Sequence, residues 1–202
     1  MRIGVLGGTF NPIHNGHLIL GEQMRERLDL ERLLFVPARM PPHKNDHDLA
    51  PAADRLEMVR LAVNGNNTFE VSDIEIHREG CSYTIDTIAE LRRTYGPRCD
   101  LFFVIGSDTV QELPTWHRIG ELLLMCKFVV GARPGYEPNV RKHLSHILPE
   151  AELKAMESRI IQIRLIEISA TEVRSLVNTN GSIRYLVPRP VEDYIRKHAL
   201  YV

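Results

Sequence analysis

The residues of this chain best suited to chemistry concentrate first in Gly7-Gly8-Thr9-Phe10-Asn11-Pro12-Ile13-His14-Asn15-Gly16-His17. Paired glycines let main-chain N–H groups approach a phosphate closely, and a helix opening just behind them adds positive potential. The segment therefore reads as a site for a phosphate-bearing ligand. Its spacing excludes two common phosphate loops. No lysine occurs before Lys44, as G-x-x-x-x-G-K-[ST] requires, and Gly4, Gly7 and Gly8 do not fit G-x-G-x-x-G. His14 and His17, three residues apart around Gly16, allow three roles: a metal pair, a general acid and base, or donors to charge developing on a phosphate. No third ligand and no H-E-x-x-H glutamate accompanies them, so the glycine-rich context favours the phosphate-donor role over zinc.

A second cluster is Ile168-Ser169-Ala170-Thr171-Glu172-Val173-Arg174. Ser169 followed by Glu172 is a capping box, so a helix should begin here. Two readings stand side by side. In one, Ser169 only caps, Thr171 sits in the first turn and Arg174 is a solvated charge. In the other, hydroxyls, helix-start N–H groups and a guanidinium converge on triphosphate or pyrophosphate oxygens. Elsewhere, Ser82, Tyr83 and Asp86 read as a helix-start turn. Trp116, the only tryptophan, is either a packing aromatic or a stacking platform.

These residues need strands and helices to carry them. Short apolar runs at Ile3 to Leu6, Leu33 to Val36, Phe69 to Ile76, Leu101 to Ile105, Phe128 to Val130 and Ile160 to Ile166 read as strands. Between them lie helical patterns at His17 to Leu28, Ala53 to Val63, Thr84 to Tyr95, part of Ile119 to Cys126, Ala170 to Asn178 and Pro190 to His198. That alternation is an α/β domain with a largely parallel sheet. The Gly7 to His17 segment then lies at the carboxyl end of a strand, where open α/β sheets bind ligands. Pro37 to Pro51 and Pro134 to Pro149 read as long loops, the first suited to binding. No repeat or linker divides the chain, so residues 1–202 read as a single domain.

Composition narrows the class. Among 202 residues, 25 Lys plus Arg stand against 26 Asp plus Glu, a net charge of −1 that argues against a general nucleic-acid binder. With 44% hydrophobic and 25% charged residues, the chain is of ordinary globular composition. Its longest apolar runs, Leu101 to Ile105 and Leu122 to Cys126, fall far short of the roughly 20 residues needed to span a bilayer. Ile3 to Leu6 is too short for a signal-peptide core, which predicts a cytoplasmic protein. Cys81, Cys99 and Cys126 form no C-x-x-C pair and read as reduced, structural thiols.

The H-x-G-H core His14-Asn15-Gly16-His17, together with Ile168 to Arg174, closely resembles the nucleotidyltransferase superfamily built on a Rossmann-like sheet. Pro41-Pro42-His43-Lys44, Ser82-Tyr83-Thr84-Ile85-Asp86-Thr87, Ile105-Gly106-Ser107-Asp108 and Leu113-Pro114-Thr115-Trp116 narrow the resemblance to the bacterial nicotinate mononucleotide adenylyltransferases. H-x-G-H alone marks only the superfamily, whereas the whole set, in order along nearly the entire chain, is specific.

The resemblance implies an α/β fold with a doubly wound, mainly parallel sheet of the nucleotidyltransferase type. It implies that ATP and nicotinate mononucleotide give deamido-NAD and pyrophosphate, with Mg²⁺ accompanying ATP. His14, His17 and Arg174 are then the expected catalytic residues. Gly7, Gly8, Thr9, Phe10, Gly106, Asp108, Ser169 and Thr171 are expected on ATP, and Lys44, Ser82, Tyr83, Thr84, Trp116 and His117 on the pyridine nucleotide. In that family the tryptophan stacks on the pyridine ring, and main-chain N–H groups near Thr84 and after Trp116 hold the nicotinate carboxylate. No protein nucleophile is required, because a phosphate monoester loses its second proton near pH ~6. Alignment and charge stabilisation suffice. The chain departs from the family at Asn11, where aspartate is usual, and at His117, where tyrosine is usual. Rival readings are the same chemistry on nicotinamide mononucleotide or another phosphate acceptor, a nucleotide sensor without turnover, and a zinc hydrolase. No nucleic-acid or membrane partner is expected, and a homo-oligomer is compatible with the sequence.

Overall fold

The structure is a computed structural model, and it describes residues 1–41, 49–132 and 138–202. In chain order the elements are β1 (Arg2–Gly8), α1 (Asn15–Arg27), β2 (Arg32–Pro37), α2 (Ala52–Val63), β3 (Phe69–Val71) and α3 (Thr84–Tyr95). β4 (Asp100–Gly106) follows, then two 3-10 turns (Ser107–Gln111 and Leu113–Thr115), α4 (Ile119–Met125) and β5 (Lys127–Ala132). The chain continues through α5 (Val140–Leu144), α6 (Glu150–Glu157), β6 (Ile160–Gln162), α7 (Ala170–Asn178) and α8 (Arg189–Lys197). The strands form a six-stranded parallel sheet in the order β3-β2-β1-β4-β5-β6, a doubly wound α/β topology. The order reverses direction at β1 and β4, which pair in parallel from Arg2 opposite Asp100 to Val5 opposite Phe103.

Two compact units emerge from the packing. The first comprises Met1–Gly7, Gln23–Leu33 and Tyr83–Leu165. β1, β4 and β5 are buried at successive residues and so on both faces, which is why they read as continuous apolar runs rather than alternating ones. Ile3, Val5, Leu101 and Val129 are completely buried there. Gly4 is glycine for space, since a Cβ would lie 2.5 Å from the side chains of Leu30 and Leu33. The second unit comprises Gly8–Glu22, Leu34–Ser82 and Ile166–Val202. Its core includes Met58, Val59, Val173, Val191 and Ile195, and the Tyr194 hydroxyl donates to Asp54 Oδ1 at 2.8 Å, tying α8 to α2.

Several elements differ from the sequence expectation, among them α6 (Glu150–Glu157), which none of the expected helices covers. α1 begins at Asn15 rather than His17, because the His14 carbonyl accepts from the N–H groups of both His17 (3.0 Å) and Leu18 (3.4 Å). β3 stops at Val71 instead of Ile76, because the Asp73 carbonyl turns the chain by accepting from Ile76 N at 2.9 Å. β6 stops at Gln162 instead of Ile166, and its last pair with β5 is Gln162 opposite Ala132. The expected loop after Pro134 contains α5, whose Asn139 side chain caps Lys142 N at 2.9 Å while Val140 and Leu144 are buried. One turn of helix is too short to register as periodicity. Among the described residues, no helix is long and apolar enough to cross a membrane, and Cys81, Cys99 and Cys126 are free thiols.

Candidate active site

In the second unit the glycine-rich segment closes into a tight bend. Phe10 carries it in a left-handed conformation (φ 47°), which a bulky side chain rarely adopts, and its ring is buried against Phe35 and edge-on to His17 at 5.1 Å. Gly8 accepts Ala38 N–H at 2.9 Å through its carbonyl, and a Cβ there would come within 3.1 Å of the Phe10 ring. The imidazoles of His14 and His17 stack at 3.7 Å with 26° between planes. Gly16 makes the stack possible, because a Cβ at that position would meet His14 Nδ1 at 3.0 Å. The His14 main-chain N–H donates to His17 Nδ1 at 3.2 Å, so the neutral His17 ring carries its proton on Nε2. His14 is buried, its Nδ1 has no hydrogen-bond partner among the described residues, and burial pushes its pKa down to about 4. The free site therefore holds His14 as a neutral imidazole at pH 7.

Arg55, on the buried side of α2, fastens this bend from behind. Its fully buried guanidinium donates to the carbonyls of Thr9 (2.8 Å), Ala38 (2.6 Å), Arg39 (2.9 Å) and Ala50 (2.9 Å). Because a trans peptide points its C=O and N–H in opposite directions, holding the Thr9 carbonyl turns the Phe10 N–H away from Arg55. Burial lowers the Arg55 pKa, and the Tyr201 phenol acts in the opposite sense. Asn11 is buried beside this frame, and its Oδ1 accepts from Ala50 N (3.0 Å) and the Tyr201 hydroxyl (2.8 Å).

α7 supplies the second cluster. Ser169 Oγ caps the helix by accepting from Glu172 N at 3.1 Å. Arg174 reaches back to the Asn11 carbonyl at 2.9 Å and to Thr171 Oγ1 at 3.4 Å. The sequence alone left Arg174 either solvated or converging on a ligand site, and the structure joins it to the bend that ends in the histidines. Thr171 and Arg174 border a cavity of about 540 Å³ together with Pro51, Ser175, Asn178 and Tyr201. Two hydroxyls, a guanidinium and a helix start suit phosphate oxygens.

The remaining candidates fall into smaller groups. In the first unit, Gly7 faces Phe103, and Asp108 folds its carboxylate back over Gly106, where any Cβ would collide with it. Tyr83 and His117 are paired rings, 4.4 Å apart. Trp116 is half-buried in T-shaped contact with Phe103 at 6.0 Å and Phe128 at 6.4 Å, and its main-chain N–H donates to the Leu113 carbonyl at 3.0 Å. Thr84 opens α3, whose start has no side-chain cap. Ser82, in the second unit, is buried and latches the chain after β2, accepting from Arg39 N (3.0 Å) and Met40 N (3.4 Å). Its hydroxyl oxygen is thereby engaged by the protein itself. Lys44 lies outside the described residues. Sequence reasoning missed Arg55 and Tyr201. The one available signal was a charged residue at Arg55, in four-residue spacing with the buried Val59 and Val63.

Comparison with known proteins identifies the family. Residues 5–176 match the Cytidylyltransferase-like family. A probable nicotinate-nucleotide adenylyltransferase of Moorella thermoacetica is 42% identical over 201 residues, covering 99% of this chain and 91% of that protein. One of Exiguobacterium sibiricum is 45% identical, covering 100% of this chain and 99% of that protein. Among solved structures, the Plasmodium falciparum nicotinic acid mononucleotide adenylyltransferase complexed with NaAD superposes with a TM-score of 0.75 at 21% identity, covering 99% of this chain and 97% of that one. With the family match running over residues 5–176 and full-length relatives above 40% identity, the chain belongs to the Cytidylyltransferase-like family, in its nicotinate-nucleotide adenylyltransferase branch.

Proposed function

We propose that this protein transfers the adenylyl group of ATP to nicotinate mononucleotide, giving deamido-NAD and pyrophosphate. The observation that carries the reading is the His14 and His17 stack around Gly16 at the start of α1. One nucleotide phosphate oxygen attacks the α-phosphorus of ATP, the bond to the β-phosphate oxygen breaks opposite it, and no covalent enzyme intermediate forms. The attacking phosphate is already ionised, so the protein's task is alignment and charge stabilisation. His14 and His17 donate to oxygens of the reacting α-phosphate. Arg174, with Thr171 and the hydroxyl of Ser169, holds the departing pyrophosphate. Gly7, Gly8, Thr9 and Phe10 supply the close main-chain approach, and Gly106 and Asp108 serve the adenosine half.

Mg²⁺ enters as the counter-ion of ATP, bound to its phosphate oxygens and neutralising their charge. The hydroxyl and guanidinium donors at the start of α7 fit the phosphates of such a complex. On the acceptor side, Trp116 stacks on the pyridine ring, and the uncapped start of α3 at Thr84 meets the nicotinate carboxylate. Tyr83 and His117 flank it, and Lys44 reaches the nucleotide phosphate. Backbone donors favour a carboxylate over an uncharged amide, which accounts for acid over amide preference. The partners are thus two small nucleotides rather than nucleic acid, in a cytosolic setting.

Initial rates with ATP and a panel of nicotinate mononucleotide, nicotinamide mononucleotide and phosphopantetheine test the proposal. The expected result is a clear preference for the nicotinate nucleotide with release of one pyrophosphate per product. A preference for the amide, or nucleotide binding without pyrophosphate release, would overturn it.

A further inference from the structure

Tyr201 is drawn into the second unit by bonds that the proposed chemistry does not use. After α8 the chain passes through Ala199 (φ 47°) and Tyr201 (φ 65°), two residues in the left-handed region that L side chains rarely adopt. A backbone held this way persists only where its surroundings fix it. Here the surroundings are specific. The Tyr201 hydroxyl donates to Asn11 Oδ1 at 2.8 Å, and Ala50 N donates to the same oxygen at 3.0 Å. The main-chain carbonyl of that same Asn11 receives the Arg174 guanidinium at 2.9 Å. Burial raises the phenol's pKa, so the hydroxyl keeps its proton and remains a donor across the neutral range, and both Arg55 and Arg174 lie close enough to act on it electrostatically. Tyr201 and Arg174 also border the same cavity.

We propose that Tyr201 is a positioning residue for the phosphate site, acting through Asn11 to aim Arg174. With the Asn11 side chain pinned by two donors, its carbonyl presents a fixed acceptor, and the guanidinium is held in one direction before any nucleotide arrives. A preorganised cation binds a polyphosphate without first losing rotamer freedom. The inference rests on the reading of Arg174 as a phosphate ligand.

The test is a binding cycle with inorganic tripolyphosphate as the probe, followed by calorimetry, using Tyr201→Phe, Arg174→Lys and the double variant. Phenylalanine keeps the ring and removes only the hydroxyl. Loss of one neutral hydrogen bond at a positioning group predicts about three- to tenfold weaker binding for Tyr201→Phe in the parent protein. In the Arg174→Lys background the same change should have less than a twofold effect, because residues acting through one another are not additive. The KM for nicotinate mononucleotide should stay within twofold of the parent. Unchanged tripolyphosphate affinity in Tyr201→Phe, or an equal loss in both backgrounds, would overturn the proposal and leave Tyr201 a packing residue. The two readings fail separately: a parent protein that makes no dinucleotide but shows this coupling defeats the proposed reaction and leaves the positioning role standing.

Discussion

The main-chain N–H of His14 donates to Nδ1 of His17 at 3.2 Å while the two rings stack at 3.7 Å, so each histidine fixes the other. One contact sets the orientation of His17 and its tautomer, with the proton on Nε2. The other holds the buried His14 ring flat against it, in space that Gly16 leaves open. The pair is thus assembled before any ligand binds, which is the condition under which donors aimed at developing charge are worth most.

His17→Ala removes the ring that carries the oriented donor. We expect kcat to fall at least about a hundredfold while ATP still binds, since one well-aimed donor is worth roughly 3 kcal/mol in the transition state. Pre-steady-state turnover together with ATP titration checks both halves. Near-normal turnover would remove the histidine from the mechanism.

His14 ties stability to acidity. Its folded pKa of about 4 lies below the ordinary 6.5, so between these values the unfolded chain binds a proton that the folded chain refuses. Stability is therefore full above pH 6.5 and falls as acid is added toward pH 4, by at most about 3 kcal/mol from this group. Urea unfolding at pH 7 and pH 4.5 should show a smaller acid loss for His14→Asn than for the parent protein. An identical loss in both would show that the buried imidazole is not the source.

How much of this was legible in the sequence depends on where each residue finds its partners. α3 and α7 begin and end where the sequence predicts, at Thr84–Tyr95 and Ala170–Asn178. Their boundary signals are local: Ser169 caps the start of α7, and Gly96 (φ 78°) closes α3 by donating to the Arg92 carbonyl. The histidine pair was legible for the same reason, being three residues apart and separated by glycine. The frame behind it was not. Arg55 meets Thr9 across 46 residues and Tyr201 meets Asn11 across 190. Moreover, most of these bonds end on main-chain groups, which are the same whatever side chain a position carries.

Arg55 gives the third prediction. Its four bonds to carbonyls make it a strut of the second unit, and a methionine in its place would fill the volume but leave those oxygens without their donors. An unsatisfied buried acceptor costs roughly 1–3 kcal/mol, so Arg55→Met should lower the unfolding free energy by at least about 3 kcal/mol. Arg55→Lys, which restores a charge and three donors without the planar fork, should recover part of it. Chemical denaturation of both variants measures the order. Equal stability of Arg55→Met and the parent would show that water replaces the guanidinium at no cost.

Trp116 gives the fourth. Its ring is half-buried in T-shaped contact with Phe103 and Phe128, so the core holds it in place while part of the indole remains open. An aromatic held in that way offers a stacking surface that loses little freedom when a second ring lands on it. Trp116→Ala should therefore raise the KM for the pyridine nucleotide by about tenfold, as expected for loss of a stacking contact of roughly 1–1.5 kcal/mol. The KM for ATP should stay within twofold, since none of the contacts proposed for ATP involves the indole. Steady-state kinetics with each substrate varied separately decide the matter. If both constants rise together, Trp116 is structural and serves the Phe103 and Phe128 cluster alone.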